Sequence, residues 1–140
     1  MMGLENFGTL SFTSETKAAD FIRYLEEGEV KTTRCRKCGK TYFPPRMDCG
    51  TCSSSEMEWI EINDLGELLA FSTIMYGPTG FENEVPYTIA VIRLPNGVQI
   101  FGRISRKVPL GEIKVGMKLK VSPIKMSSGR VSFEFQPSDQ

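Results

Sequence analysis

Four cysteines are the residues of this sequence best suited to carry chemistry. They form two Cys-x-x-Cys pairs, Cys35 with Cys38 and Cys49 with Cys52, and the chain has no other cysteine. Each pair can turn tightly and present two thiolates to one ion, and two pairs can close a tetrahedral site with metal–sulfur distances of about 2.3 Å. Because protein atoms then fill every position, such a site supports a fold rather than a reaction. The spacing therefore predicts a structural metal site with these four ligands.

Other uses of paired cysteines fit the sequence less well. A redox-active pair usually opens a helix of a βαβ unit, whereas these cysteines have proline-rich surroundings and come as two pairs. The N-terminal MMGLENFGTLSF lacks the features of a signal peptide, and no apolar run reaches the ~18 residues of a membrane span. We therefore expect a cytoplasmic chain that does not enter a membrane, and in that compartment thiols stay reduced instead of forming disulfides.

The identity of the metal depends on the segment between the pairs. The stretch CRKCGKTY looks like the turn of a rubredoxin, which would favour iron. The ten residues between the two pairs are far fewer than in that family. Zinc is therefore the favoured cofactor, and iron is its rival. Gly39 directly follows the first pair, where such a turn needs a positive φ or a close backbone approach.

Composition excludes several classes of enzyme. The chain of 140 residues contains no histidine. A histidine general base, a Ser–His or Cys–His couple and a histidine metal ligand are therefore all impossible within this chain. The formal net charge is zero, although residues 31–46 carry six bases and no acid, and residues 47–84 carry eight acids and no base.

The hydrophobic pattern changes along the chain from a helical to a strand period. Residues 14–27 carry an apolar stripe at helical spacing, with Ser14 as the expected N-cap and Gly28 just beyond the last turn. Later segments alternate with period two and predict five strands, at residues 66–76, 86–94, 98–104, 118–126 and 130–136. Asn96-Gly97 predicts a type I′ turn between the second and third of these strands.

These elements predict a mainly β protein in three parts. An N-terminal segment with a helix covers residues 1–30, a four-cysteine zinc ribbon covers residues 31–58, and a five-stranded OB-fold barrel covers residues 59–137. The barrel follows from five strands with a break after the third. An open β-sandwich fragment is the alternative.

This order of helix, ribbon and barrel resembles the family of acyl-CoA-associated proteins in which a rubredoxin-like zinc ribbon precedes an OB-fold domain. The resemblance covers residues 15–137. Besides the four cysteines, it is carried by Gly39, Phe43-Pro44-Pro45-Arg46, Trp59 at the entry to the barrel, Gly66, Pro86-Tyr87, Gly97, Gly102 and Gly116-Met117. That family usually has a proline between the second pair of cysteines, where this chain has Gly50.

The resemblance implies an accessory subunit without catalytic residues of its own. Members of this family accompany thiolase-superfamily enzymes, and some accompany hydratases of acyl-CoA metabolism. We expect a non-catalytic subunit of a thiolase-type acyl-CoA acyltransferase complex that helps to form the acyl-CoA site and stabilises the assembly. A hydratase complex and a hydroxymethylglutaryl-CoA synthase complex are alternatives. Single-stranded nucleic-acid binding is a further alternative, against which the neutral net charge argues.

An acyl-CoA ligand gives expectations for individual residues. Its phosphates favour arginine and lysine, and its pantetheine arm favours an apolar groove. The expected phosphate contacts are Arg34, Arg36, Lys37 and Arg46 in the ribbon and Arg103 and Arg106 on the barrel. The expected walls of the groove are Tyr42, Phe43 and Phe81, the last on the acidic loop at residues 77–85. Solvated charges for the arginines and internal packing for the aromatic residues are the alternatives.

Overall fold

The structure is a computed structural model that describes Gly8 and residues 17–138. One helix, eight strands and a short 3-10 helix form in this part of the chain. In chain order they are α1 (Asp20–Glu26), β1 (Lys31–Cys35), β2 (Thr41–Tyr42), β3 (Met57–Glu61), β4 (Leu65–Ile74), β5 (Tyr87–Arg93), β6 (Gln99–Ile104), the 3-10 helix (Leu110–Glu112), β7 (Lys118–Lys125) and β8 (Val131–Pro137).

Helix α1 is shorter than the sequence predicts. The predicted start at Ser14 lies outside the described residues, and residues 17–19 form a turn, so the helix begins at Asp20. The predicted end is confirmed, because Gly28 takes a φ of 85°. The amide of Glu29 donates to the Tyr24 carbonyl at 2.8 Å and that of Gly28 to the Leu25 carbonyl at 3.1 Å, which is a Schellman motif.

The chain divides into two compact units. The first contains residues 1–62 and 123–132, and the second contains residues 63–122 and 133–140. Trp59, expected at the entry to the barrel, instead lies on β3 opposite Thr33 of β1. The predicted domain limits at residues 30, 58 and 137 stay a prediction.

The ribbon is built on a three-stranded antiparallel sheet in the order β2-β1-β3. The central strand buries Thr33, whose hydroxyl donates to the Arg46 carbonyl at 2.7 Å and accepts from the Arg46 amide at 2.8 Å. Helix α1 packs beside this sheet, with the rings of Tyr24 and Trp59 at 5.3 Å and those of Phe21 and Phe43 at 5.8 Å. These contacts fix the segment between the two cysteine pairs on the sheet.

The second sheet closes into a five-stranded barrel in the order β4-β5-β6-β8-β7. Leu68, Ile92 and Ile100 stand opposite one another on β4, β5 and β6, and all three are fully buried. Strand β8 runs parallel to β6 and inserts the fully buried ring of Phe135. A Cβ on Gly102 would lie 2.9 Å from that ring, so glycine leaves room for it. The OB-type barrel is thus confirmed, and the open-sandwich alternative is wrong.

The turn between β5 and β6 differs from the predicted type I′ turn. Gly97 has a φ of 90°, but among the described residues only Ser53 combines a side chain with a positive φ, so Asn96 does not. The Gly97 amide donates to the Leu94 carbonyl at 2.9 Å, and the Leu94 amide donates to the Val98 carbonyl at 2.8 Å. Because Pro95 fixes a negative φ at the first loop position, the chain forms a three-residue loop that ends in a left-handed glycine.

Candidate metal centre

The two cysteine pairs meet at one point of the ribbon. Their four sulfur atoms all lie within 4.8 Å of one another. Cys35 Sγ lies 3.6 Å from Cys52 Sγ, and Cys38 Sγ lies 3.5 Å from Cys49 Sγ. A disulfide needs about 2.05 Å, whereas four sulfurs at about 2.3 Å from one ion are separated by roughly 3.8 Å in a tetrahedron. The four side chains therefore fit a tetrahedral metal ion and not a pair of disulfides.

Both pairs use the same backbone turn. In the first, the Gly39 amide donates to the Cys35 carbonyl and the Cys35 amide to the Lys40 carbonyl, each at 2.9 Å. In the second, the Ser53 amide donates to the Cys49 carbonyl at 3.0 Å and the Cys49 amide to the Ser54 carbonyl at 2.7 Å. Gly39 and Ser53 occupy equivalent positions, with φ of 80° and 62°. The positive φ predicted for Gly39 is confirmed. In the second turn, Ser53 has to adopt a positive φ although it carries a side chain.

This equivalence predicts opposite effects for two substitutions. Gly39→Ala forces a side chain into the left-handed region, although no atom crowds its Cβ, and should destabilise the metal-loaded chain by about 1 kcal/mol. Ser53→Gly removes the same penalty and should stabilise it by roughly 0.5 kcal/mol. Urea unfolding at saturating metal measures both. Shifts of the same sign would contradict the equivalence of the two turns.

Tyr42 connects β2 to the second cysteine pair. Its hydroxyl lies 3.3 Å from Cys49 Sγ and accepts from the Gly50 amide at 2.8 Å, so the phenolic hydrogen is free to point at the sulfur. A proline at position 50, usual in the resembling family, could not donate this bond. A Cβ on Gly50 would also lie 3.0 Å from Arg46 Nη1, beside the Tyr42 ring that the guanidinium of Arg46 faces at 5.1 Å.

The hydrogen bonds around the sulfurs make the four thiols unequal. The Tyr42 hydroxyl, assisted by the backbone amides of Cys52 and Thr51, lowers the pKa of Cys49 to about 5. The Ser54 amide lowers the pKa of Cys52, but the neighbouring sulfur of Cys35 and burial together raise it to about 11. Four thiolates this close repel one another, so a bound cation is what allows all of them to ionise together.

The Tyr42 contact predicts a weaker hold on the metal when the hydroxyl is removed. Tyr42→Phe should speed metal loss to a chelator about tenfold, since a hydrogen bond to a ligand commonly contributes that much to metal affinity. Tyr24→Phe is the matched control, because Tyr24 packs on Trp59 with its ring. Equal release rates for the two variants would show that the Tyr42 hydroxyl does not support the site. Release is followed with a colorimetric chelator.

Some of the ribbon residues expected at CoA contact other side chains of the chain. Arg34 forms an ion pair with Glu58 at 3.3 Å, and Phe43 packs against Phe21. Arg36 and Lys37 lie between Cys35 and Cys38 with exposed side chains. Within the described residues no carboxylate forms an ion pair with either of them.

The barrel residues expected at CoA gather around Glu84. Arg103 Nη1 donates to Glu84 Oε1 at 2.7 Å, and its guanidinium stands 4.3 Å from the centre of the Tyr87 ring. Arg106 donates to the Glu84 carbonyl. Phe81 is half-buried, with its ring 6.2 Å from that of Tyr87. The acidic loop is thus held to the barrel by the two arginines, which the sequence did not indicate because Glu84 is distant in the chain.

Arg106 also borders a cavity in the second unit. The cavity has a volume of about 190 Å³ and is lined by residues that include Tyr87, Ser105 and Ile113.

The described part of the chain contains no helix with the length and apolar character needed to cross a membrane.

The fold and the four-sulfur site together define a zinc-ribbon protein with an OB-fold domain. Residues 24–58 match the domain described as "ChsH2, rubredoxin-like zinc ribbon domain", and residues 59–122 match "ChsH2, C-terminal OB-fold domain". The two matched segments adjoin and together cover most of the chain. The chain therefore belongs to the ChsH2 family of zinc-ribbon and OB-fold proteins.

Curated relatives carry names of scaffold proteins and of an enzyme subunit. A DUF35 domain-containing scaffold protein of Methanocaldococcus jannaschii is 35% identical over 88 residues, which are 62% of this chain and 62% of the relative. The benzoylsuccinyl-CoA thiolase subunit BbsA of Thauera aromatica is 33% identical over 75 residues, or 54% of this chain and 51% of the relative. The chain thus matches less than two thirds of the length of either relative.

Solved structures share the fold at low sequence identity. The structure named "Ltp2-ChsH2(DUF35) aldolase" superposes with a TM-score of 0.76 at 18% identity, over 91% of this chain and 99% of that one. A DUF35-family protein of unknown function from Sulfolobus solfataricus gives a TM-score of 0.58 at 24% identity, over 85% of each chain. At these identities the likeness concerns the fold alone.

Proposed function

We propose that this chain is a non-catalytic accessory subunit of a thiolase-type acyl-CoA enzyme and that its four cysteines hold one structural zinc ion. The observation that carries the proposal is the convergence of every thiol of the chain on one point. Thiolase chemistry needs a free cysteine nucleophile and a histidine base. This chain has no histidine, and its thiols face one another, so the reacting groups belong to a partner.

Zinc is the ion that the donor set favours. Four thiolates at tetrahedral spacing suit zinc or iron, and the matched ribbon domain is described as a zinc ribbon. Held by four sulfurs, zinc would supply folding free energy and no reactive position. The chain's own contribution is to hold the sulfurs in place through the two turns and the Tyr42 hydroxyl.

A thiolase-superfamily enzyme is the partner that the relatives favour. BbsA is named as a subunit of a thiolase, and other relatives are named as scaffold proteins. Hydratase, hydroxymethylglutaryl-CoA synthase and aldolase complexes are the alternatives for the partner. The proposed location is the cytoplasm, where four thiols stay reduced and available to a metal.

Within this proposal the ribbon is a better place for the phosphates of CoA than the barrel. Arg36 and Lys37 are exposed beside the first cysteine pair, and Arg46 stands over Tyr42 with an exposed side chain. On the barrel, the carboxylate of Glu84 already accepts a hydrogen bond from Arg103, and the Glu84 carbonyl accepts one from Arg106. An incoming phosphate would have to displace those bonds, whereas on the ribbon it would meet cations in solvent.

The proposal is tested by purifying the tagged full-length chain from the organism that encodes it. We expect a larger enzyme of acyl-CoA metabolism, identified by mass spectrometry, to copurify. Thiolysis of acetoacetyl-CoA is then measured for the chain alone, the partner alone and the recombined pair. The chain alone should be inactive, and the partner should lose activity without it. Turnover by the isolated chain, or a partner indifferent to its removal, would refute the accessory role.

A further inference from the structure

The outer face of the barrel carries a row of apolar side chains across three strands. Ala70 of β4 stands opposite Val91 of β5, which stands opposite Phe101 of β6. Ile89, two residues before Val91 on β5, extends the row on the same face. Their immediate neighbours Ala90, Ile92 and Ile100 are buried in the barrel, so alternation directs this set outward. We call Ala70, Ile89, Val91 and Phe101 the barrel belt.

The barrel belt is open to solvent at its two ends. Phe101 is 61% exposed, and Ala70 is exposed at the other end. Val91 is half-buried between them, and Ile89, which stands opposite Ser72 and Arg103, is half-buried beside it. Opposite residues on neighbouring strands have Cβ atoms about 5 Å apart, so the row is continuous. A contiguous apolar patch with an exposed aromatic residue is typical of a surface that another molecule covers.

Charged residues border the barrel belt on both sides, and each forms an ion pair within the same unit. On one side Arg93 lies 3.3 Å from Glu67, which stands opposite it on β4. On the other side Arg103, opposite Ile89, lies 2.7 Å from Glu84. These two ion pairs therefore add no net charge to the rim, although they make it polar.

This charge distribution decides between two classes of partner. OB folds bind oligonucleotides on the face of their second and third strands, here β5 and β6, by stacking bases over a positively charged groove. The arginines beside the barrel belt are neutralised by their own carboxylates, so that groove is missing from this face of the described barrel. An apolar centre inside a neutral polar rim is instead the composition of a protein–protein interface.

We propose that the barrel belt docks on an uncharged apolar patch of the larger acyl-CoA enzyme, with Phe101 as its main anchor. The inference rests on the proposed accessory function and adds to it the surface by which the chain is held. Aromatic residues that become buried in an interface carry much of the binding free energy, so the effect of changing Phe101 should be large.

The test compares two full-length variants for binding to the copurified enzyme. Phe101→Glu places a charge at the exposed end of the barrel belt without entering the core. Val115→Glu is the matched control, because Val115 is 66% exposed and lies on the loop after the 3-10 helix. Both should keep the metal content and circular dichroism of the unaltered chain. Binding to the enzyme is measured by biolayer interferometry. Relative to the unaltered chain, we expect the Kd of Phe101→Glu to be at least about tenfold higher and the Kd of Val115→Glu to be unchanged.

Each other outcome overturns the inference in a distinguishable way. If the unaltered chain and Phe101→Glu bind the enzyme equally, the docking surface is refuted and the accessory function stands. If the unaltered chain binds no acyl-CoA enzyme, the accessory function is refuted and the docking surface falls with it. Self-association that Phe101→Glu abolishes would make a second copy the occupant. Salt-dependent binding of a single-stranded oligonucleotide that Phe101→Glu abolishes would make the occupant a nucleic acid.

Discussion

Cys49→Ser should abolish metal binding and unfold the ribbon. Cys49 is buried, and its sulfur contacts the Tyr42 hydroxyl. The same sulfur lies 3.5 Å from Cys38 Sγ. The binding of a structural zinc ion is worth about 10–16 kcal/mol in zinc-finger peptides, which exceeds the stability expected of a sheet of this size. We expect metal content to fall from one ion per chain to nearly none. Amide resonances of residues 31–61 should collapse to unfolded positions in a two-dimensional NMR spectrum.

The matched control for this variant is Thr51→Ala. Thr51 lies between Cys49 and Cys52, and its backbone amide, which the substitution keeps, donates to Cys49 Sγ at 3.4 Å. This variant should keep the metal and the spectrum of the unaltered chain. A folded, metal-free ribbon in Cys49→Ser would show that packing of α1 on the sheet is sufficient, and the structural role of the metal would be lost.

Phe135→Ala should destabilise the barrel by about 3–5 kcal/mol. The ring is fully buried and lies beside Gly102, whose missing side chain makes room for it. Removing it leaves a cavity that the strands on either side cannot easily fill, and losses of this size are usual for buried phenylalanines. Urea unfolding of the metal-loaded chain gives the change in free energy.

Phe101→Ala is the comparison for Phe135→Ala, because the same side chain is lost from an exposed position on the neighbouring strand β6. Its effect on stability should stay within about 0.5 kcal/mol. Similar losses of unfolding free energy for both variants would mean that the inward and outward faces of the barrel have been assigned wrongly. The residues of the barrel belt would then not form an outer surface.

The four-cysteine cluster and the strand pattern were accessible from the sequence because they depend on short-range spacing. Two residues between cysteines are what a tight turn needs, and alternation reports which face of a strand is buried. The predicted strand at residues 86–94 differs from the observed Tyr87–Arg93 only at its ends. Gly28 and Gly39 were recognised for the same reason, since a positive φ is a local demand.

Features that depend on distant contacts were missed. The Tyr42–Cys49 bond needs the fold of the ribbon to bring β2 against the second pair, and the expected place of Tyr42 in a ligand groove stays a prediction. The ion pair of Arg103 with Glu84, which reaches it from the preceding loop, was also missed, and the expected contact of Arg103 with a phosphate stays a prediction. The turn at Asn96 was misassigned although the signal was local, because Pro95 restricts the loop more strongly than Asn96-Gly97 favours a type I′ turn.

The most direct test of the central claim is a count of metal and reactive thiols in the purified chain. Elemental analysis should find one zinc ion per chain, and a thiol reagent should find no rapidly reacting cysteine until the chain is denatured, when all four react. Four thiols that react at once in a chain that is folded and metal-free would contradict the claim that the cysteines form a closed structural site.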